Sequence, residues 1–125
     1  DRSLPLEPGR TALRVAVDIG TQVSIGDEVV PLAEEMGDFV IWRRDDLPAY
    51  QVVSVVEDRD LGITHIVRGR DLLTSSAAQA HLALWMGAAN VAEAVYVHLL
   101  VVADATGAKL SKSTLSATRG QEDAL

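Results

Sequence analysis

Apolar, strand-forming runs alternate with helix-forming stretches along this chain, and that alternation constrains its fold more than any other feature. Residues 63–67 form a short apolar run that predicts a strand. Residues 96–102 form a longer β-branched run, which is typical of a buried strand. A predicted helix, residues 75–86, lies between them. The alternation predicts an α/β layer fold with a mostly parallel sheet.

Two helices are predicted from spacing and from the residues at their ends. Residues 49–57 carry apolar side chains at intervals of three and four, which favours a helix over the strand that their valines suggest. The helix over 75–86 has Thr74 or Ser75 as a candidate N-cap. It is expected to end at Gly87.

The N-terminal part of the chain predicts strands without long helices. Prolines and a glycine make residues 1–11 an irregular segment. Residues 13–17 alternate apolar and other side chains, as a half-buried strand does, and residues 23–25 are its predicted hairpin partner across a turn at 18–20. Residues 38–42 are expected to form a buried strand.

The length and hydrophobic content fit one domain, residues 1–125. A chain of 125 residues with 48% hydrophobic residues is long enough for a real core and too short for two domains. Residues 114–125 are polar and are expected to form a flexible tail.

Composition excludes several classes of function. The absence of cysteine excludes disulfides, thiolate zinc sites and cysteine nucleophiles, and no spacing of histidine with carboxylates suggests another metal site. The net charge of −7 disfavours a protein that binds nucleic acid over its whole surface, although a local basic patch remains an alternative. No membrane-spanning run or signal peptide is present, so a soluble, cytoplasmic protein is expected.

Both lysines of the chain lie in one pentapeptide, Lys109-Leu110-Ser111-Lys112-Ser113. A compact ammonium group on a flexible stem suits the binding of phosphate oxygens by a mobile loop. On its own, the pentapeptide is equally consistent with a solvated surface turn.

Its sequence resembles the KMSKS motif of class I aminoacyl-tRNA synthetases, with leucine at the second position as glutamyl enzymes commonly have. Three further blocks resemble the glutamyl-tRNA synthetase family in the same order. They are residues 37–51, residues 62–73 (GITHIVRGRDLL) with the following Ser75 and Gln79, and residues 96–98 (YVH). Leu100 stands where the family usually has proline. The resemblance covers residues 13–113.

The resemblance implies a substrate site and a nucleotide site. Tyr50 and Arg68 correspond to glutamate-binding residues, and Arg68 would take a substrate carboxylate in its planar fork. Lys109, Ser111 and Lys112 would contact ATP, which is a substrate expected with Mg²⁺, and Lys112 would have the catalytic role. Without the resemblance, Tyr50 is better explained by packing and Arg68 by a surface salt bridge.

The His-x-Gly-His motif of class I synthetases is absent from the sequence, since none of His65, His81 and His98 stands in that pattern. The chain therefore resembles the C-terminal half of a Rossmann-like catalytic domain, and alone it is expected to be weakly active or inactive. A separate chain supplying the other half, or a second copy of this chain, is a candidate partner besides glutamate, ATP and tRNA. The rival interpretation is a non-catalytic, synthetase-derived binding module.

Several other polar residues have two interpretations each. His65 and His98 lie in apolar runs and are expected to be satisfied core histidines. Asp71 is a candidate ion-pair partner for Arg68 and Arg70. Arg43 and Arg44 either face the acceptor end of a tRNA or are a solvated pair beside the aspartates at 45–46. The acceptor itself is either tRNA(Glu) or, as in the related glutamyl-queuosine synthetases, tRNA(Asp).

Overall fold

The computed structural model describes residues 5–100. Within that range the chain forms short strands and helices that alternate after residue 39, as an α/β fold requires. In chain order the elements are β1 (Leu13–Val15), β2 (Val23–Ile25), β3 (Glu28–Val30), α1 (Leu32–Glu35), β4 (Phe39–Trp42), α2 (Tyr50–Asp60), β5 (His65–Gly69), a 3₁₀ turn (Arg70–Leu72), α3 (Leu73–Met86), α4 (Ala89–Ala92) and β6 (Val95–Leu99).

The strands form three separate two-stranded sheets. β5 and β6 are parallel and in register, with Ile66 opposite Tyr96 and Arg68 opposite His98. β1 pairs with β4 and β2 pairs with β3, both antiparallel. The α/β class is confirmed, but among residues 5–100 the parallel arrangement is limited to β5 and β6.

The predicted N-terminal hairpin exists, but its strands were assigned wrongly. β2 pairs with β3 across Gly26 and Asp27, and Gly26 adopts the left-handed φ of 58° that a tight two-residue turn requires. β1 pairs instead with β4. Just beyond β1, the Val17 amide donates to Asp38 Oδ1 at 2.8 Å, which joins the segment after β1 to the residue before β4.

The core is one cluster of buried side chains around α3, which packs most closely on α2, α4 and β2. Ile66 and Tyr96 are buried on the strands, and α3 presents a run of small side chains that is almost fully buried. Small residues let a helix approach a sheet closely, so the close packing rests on the alanines of α3. Larger side chains fill the remaining volume. The core members of α3 include Ala77, Ala78, Ala80, Leu82 and Ala83, and the largest fully buried apolar side chains of the described residues are Leu32, Val55 and Val91.

The prediction that β6 is buried along its length was wrong. Tyr96 is buried, whereas Val95, Val97 and Leu99 are exposed by 51%, 43% and 55%. Val67 of β5 is exposed by 62% on the same side, because alternate residues of a strand face opposite sides of a sheet. One face of the parallel pair therefore faces the core, and the other is apolar and accessible. Residues 101–102 of the predicted strand lie outside the described residues.

Both longer helices are present, but α3 begins differently from the prediction. The 3₁₀ turn runs directly into the helix, so Leu72 occupies the N-cap position without a side-chain cap. Thr74 lies inside the helix, and its hydroxyl donates to Glu35 Oε2 at 2.7 Å instead. Neither α3 nor any other helix in the described part of the chain is long and apolar enough to cross a membrane.

Gly87 ends α3 as predicted, in a left-handed conformation with φ 69°. A Cβ built there meets no heavy atom within 4 Å, so any cost of a side chain comes from the backbone conformation. We expect Gly87→Ala to lower the free energy of unfolding by about 1 kcal/mol. Gly87→Asn should cost less, since asparagine tolerates this region better. Urea denaturation of both variants tests this, and an unchanged Gly87→Ala midpoint would contradict it.

Candidate functional site

Polar side chains gather at the carboxyl ends of the two parallel strands. Arg68 and His98 stand opposite each other in the register, two residues beyond the buried Ile66 and Tyr96. A two-residue step returns a strand to the same face, so both side chains lie on the α3 side of the sheet. Open α/β sheets bind their ligands at this end of the strands.

Arg68 is held by residues of two helices. Its Nη1 donates to Ser76 Oγ at 3.1 Å and its Nη2 to Gln79 Oε1 at 2.7 Å, both on α3. Asp58 of α2 places a carboxylate oxygen 3.9 Å from Nη2. The Arg68 side chain is only 12% exposed, so the guanidinium has a fixed position. A simple surface salt bridge does not describe this arginine.

Gln79 extends these contacts to the beginning of α2. Its side-chain amide nitrogen donates to Gln51 Oε1 at 2.8 Å. Gln51 follows Tyr50, the first residue of α2. The predicted substrate residues thus lie on elements that one chain of hydrogen bonds connects. Tyr50 is 59% exposed, so its phenol is accessible and not packed in the core.

His98 is partly buried and bonded to the same group. Its Nε2 lies 2.8 Å from Ser76 Oγ, and its ring stacks on Tyr96 with centroids 6.3 Å apart. Burial and, next, the positive charge of Arg68 lower the pKa of His98, partly opposed by Glu28. When His98 is neutral, its Nε2 can accept a hydrogen bond from the Ser76 hydroxyl, while the Ser76 oxygen accepts a hydrogen bond from Arg68. The expectation of a satisfied core histidine is met by the hydrogen bond of His98, but its side chain is only partly buried.

The other sequence-derived candidates occupy different places. His65 is exposed, with its Nδ1 2.9 Å from Thr64 Oγ1, so the prediction of a core histidine was wrong there. Arg70 forms a bidentate ion pair with Glu28 on β3, where Nη1 lies 2.8 Å from Oε2. That hydrogen-bonded pair lowers the pKa of Glu28. The carboxylates of Asp58 and Glu28 thus lie within ion-pair distance of Arg68 and Arg70 respectively.

The two arginines after β4 differ in their surroundings. Arg43 forms an exposed ion pair with Asp45 at 2.5 Å. Arg44 lines a cavity of about 700 Å³ together with Arg10 and Arg14. These arginines form a local group of positive charges, in which Arg10 lies 3.6 Å from a carboxylate oxygen of Glu7 and Asp38 lines the same cavity. The predicted nucleotide contacts Lys109, Ser111 and Lys112 lie outside the described residues.

Sequence reasoning did not find Gln51, Asp58 and Ser76. Gln51 and Asp58 are seven residues apart, which places them on one face of α2, and Ser76 and Gln79 are three apart on α3. Both pairs interrupt otherwise apolar helix faces. A polar residue at a core position of a helix is the signal that would have identified them.

The fold is that of a part of solved glutamate-tRNA synthetases. The chain superposes on the glutamate-tRNA synthetase from Elizabethkingia anophelis with a TM-score of 0.66 at 23% identity, covering 85% of this chain and 22% of that one. A glutamate tRNA ligase from Elizabethkingia meningosepticum gives a TM-score of 0.63 at 21% identity, covering 85% of this chain and 22% of that one. At these identities the likeness concerns the fold alone.

The sequence defines the family more narrowly. Residues 3–123 match the model of the catalytic domain of class I tRNA synthetases (E and Q), and the chain belongs to that family. It is 49% identical over 94 residues to a glutamyl-Q tRNA(Asp) synthetase from Burkholderia cenocepacia, covering 75% of this chain and 30% of the relative. The glutamyl-Q tRNA(Asp) synthetase from Aromatoleum aromaticum is 42% identical over 117 residues, covering 90% of this chain and 36% of the relative. The chain thus spans about a third of the length of these relatives.

The lowered pKa of His98 has a measurable consequence. An NMR titration of its ring should give a pKa below the ordinary histidine value of about 6.5. Because the folded pKa is depressed, the stabilisation from His98 is complete above the unfolded pKa and is lost as the pH falls through the folded pKa. Arg68→Gln removes a nearby positive charge and should raise the His98 pKa. A wild-type pKa at or above the ordinary value would contradict this account of the site.

Proposed function

We propose that this chain is the part of a glutamyl-tRNA or glutamyl-Q tRNA(Asp) synthetase that binds glutamate for activation by ATP. The observation that carries the proposal is the fixed guanidinium of Arg68 at the carboxyl end of the parallel strands. A planar guanidinium matches a carboxylate with two parallel hydrogen bonds. Arg68 would therefore bind a carboxylate of glutamate.

The surroundings of Arg68 fit an anionic ligand. Ser76 and Gln79 are neutral and use two of the five N–H donors that a guanidinium carries. Asp58 lies 3.9 Å away, which is longer than a hydrogen bond, so its carboxylate balances the charge without a short contact. The accessible phenol of Tyr50 would provide a second, neutral contact to the amino acid.

The nucleotide contacts are assigned to the pentapeptide at 109–113. Lys109, Ser111 and Lys112 would bind ATP, and the Lys112 ammonium would stabilise the charge that develops on the phosphates when the glutamate carboxylate attacks. Mg²⁺ is expected with the nucleotide. Residues 5–100 hold no group of three histidine, aspartate or glutamate side chains placed to bind a metal ion. These substrates are those of the cytoplasm, where we expect the protein to act.

The remaining partners follow from two surfaces. The accessible apolar face of β5 and β6 suits the rest of a catalytic domain, on the same polypeptide or on another, because parallel sheets are normally covered on both faces. A second copy of the chain is the alternative cover. The cavity lined by Arg10, Arg14 and Arg44 suits the phosphates of a tRNA acceptor in an otherwise acidic chain.

Arg68→Gln should weaken glutamate binding about ten- to a hundredfold, because it removes a charged hydrogen-bonding group from the carboxylate. Isothermal calorimetry with glutamate measures this. Arg59→Gln is the matched control, since Arg59 lies near the end of α2, is exposed and is paired with Asp60. Equal affinities for the Arg68→Gln and Arg59→Gln variants would contradict the assignment.

The rival function is a binding module without catalysis, which Leu100 favours, since it stands where the family usually has proline. A glutamyl-adenylate analogue distinguishes the two in the same calorimeter. A site that has the nucleotide contacts should bind the analogue more tightly than glutamate, and Lys112→Ala should remove the difference. An interaction protein that uses neither substrate should bind neither compound.

A further inference from the structure

Gln79 is a buried polar side chain in a helix face made mostly of alanine. It is 0% exposed, and in the described part of the chain Ser76 is the other buried polar residue. Burying an amide without hydrogen bonds costs roughly 1–3 kcal/mol, so a buried glutamine is retained only where its amide is bonded. Both ends of the Gln79 amide are bonded.

The direction of these bonds is fixed by chemistry. A guanidinium only donates, so the group of Gln79 that faces Arg68 must be its carbonyl oxygen. The amide nitrogen therefore faces Gln51, whose own carbonyl oxygen must accept. A single planar amide thus connects β5 to the first turn of α2 across α3, with heavy-atom distances of 2.7 and 2.8 Å.

We propose that Gln79 is a positioning residue that fixes Arg68 relative to the beginning of α2, where Tyr50 lies. This inference rests on the proposed glutamate site and deepens it. Gln79 touches no substrate in this scheme and acts through Arg68 and Gln51. Because Gln79 fixes the separation of Arg68 and Tyr50, the site discriminates by the length of the substrate side chain. Glutamate is therefore preferred over the shorter aspartate.

The test uses two variants that remove different parts of the connection. Gln79→Met has a similar volume and removes both hydrogen bonds. Gln51→Met changes a half-buried side chain and removes only the second bond, so it stays informative if the first variant does not fold. Gln22→Met, at an exposed position just before β2, is the matched control.

Three quantities are measured on the full chain: the affinities for glutamate and aspartate by calorimetry, the ¹⁵N NMR signals of the Arg68 guanidinium, and the backbone amide spectrum as a check of folding. We expect Gln79→Met and Gln51→Met to weaken glutamate binding about tenfold and to reduce the glutamate-to-aspartate preference. In Gln79→Met the resolved guanidinium signals of Arg68 should also average. A loss of stability alone would not change the preference.

The outcomes separate the two proposals. If folded Gln79→Met and Gln51→Met bind both acids as the Gln22→Met control does, the positioning role is overturned. If the wild-type chain binds no glutamate, the proposed function fails, and the guanidinium signals then decide the positioning role. Signals resolved in the wild type and averaged in Gln79→Met support that role, and signals unchanged in the variant overturn it.

Discussion

The largely buried positive charge of Arg68 determines much of this structure. The Arg68 guanidinium is only 12% exposed, and a charge at that depth is tolerated when polar groups surround it. Those groups come from both neighbouring helices, so the register of α2 and α3 against β5 is set by one side chain. Burial and, next, the same charge lower the pKa of His98. Stability and a ligand-ready arginine thus depend on the same contacts.

The packing around this charge explains why one face of the parallel pair is covered and the other is not. Alanines let α3 pack closely on α2, α4 and β2, and the two buried polar residues of the helix, Ser76 and Gln79, lie where it meets Arg68. The opposite face carries Val67, Val97 and Leu99 in accessible positions. The chain spans about a third of the length of the relatives that it matches.

Sequence patterns predicted those parts of the fold that depend on local periodicity. The spacing of valines in α2 and the glycine after α3 identified both helices, and the apolar runs identified β5 and β6. Strand pairing failed, because the contact between β1 and β4 spans more than twenty residues and the Gly26 turn was overlooked. At the site, family motifs pointed to Tyr50 and Arg68. Asp58 and Gln51 were missed because their role depends on how α2 packs against α3.

The most direct test of the central claim is glutamate-dependent ATP–pyrophosphate exchange by a chimera. The matching residues of this chain would replace those of the Aromatoleum aromaticum relative, whose match covers 90% of the chain and so includes both Arg68 and Lys112. The account predicts exchange by the chimera and its loss in Arg68→Gln and in Lys112→Ala. A folded chimera without exchange beside an active parent, or full exchange in Arg68→Gln, would contradict it.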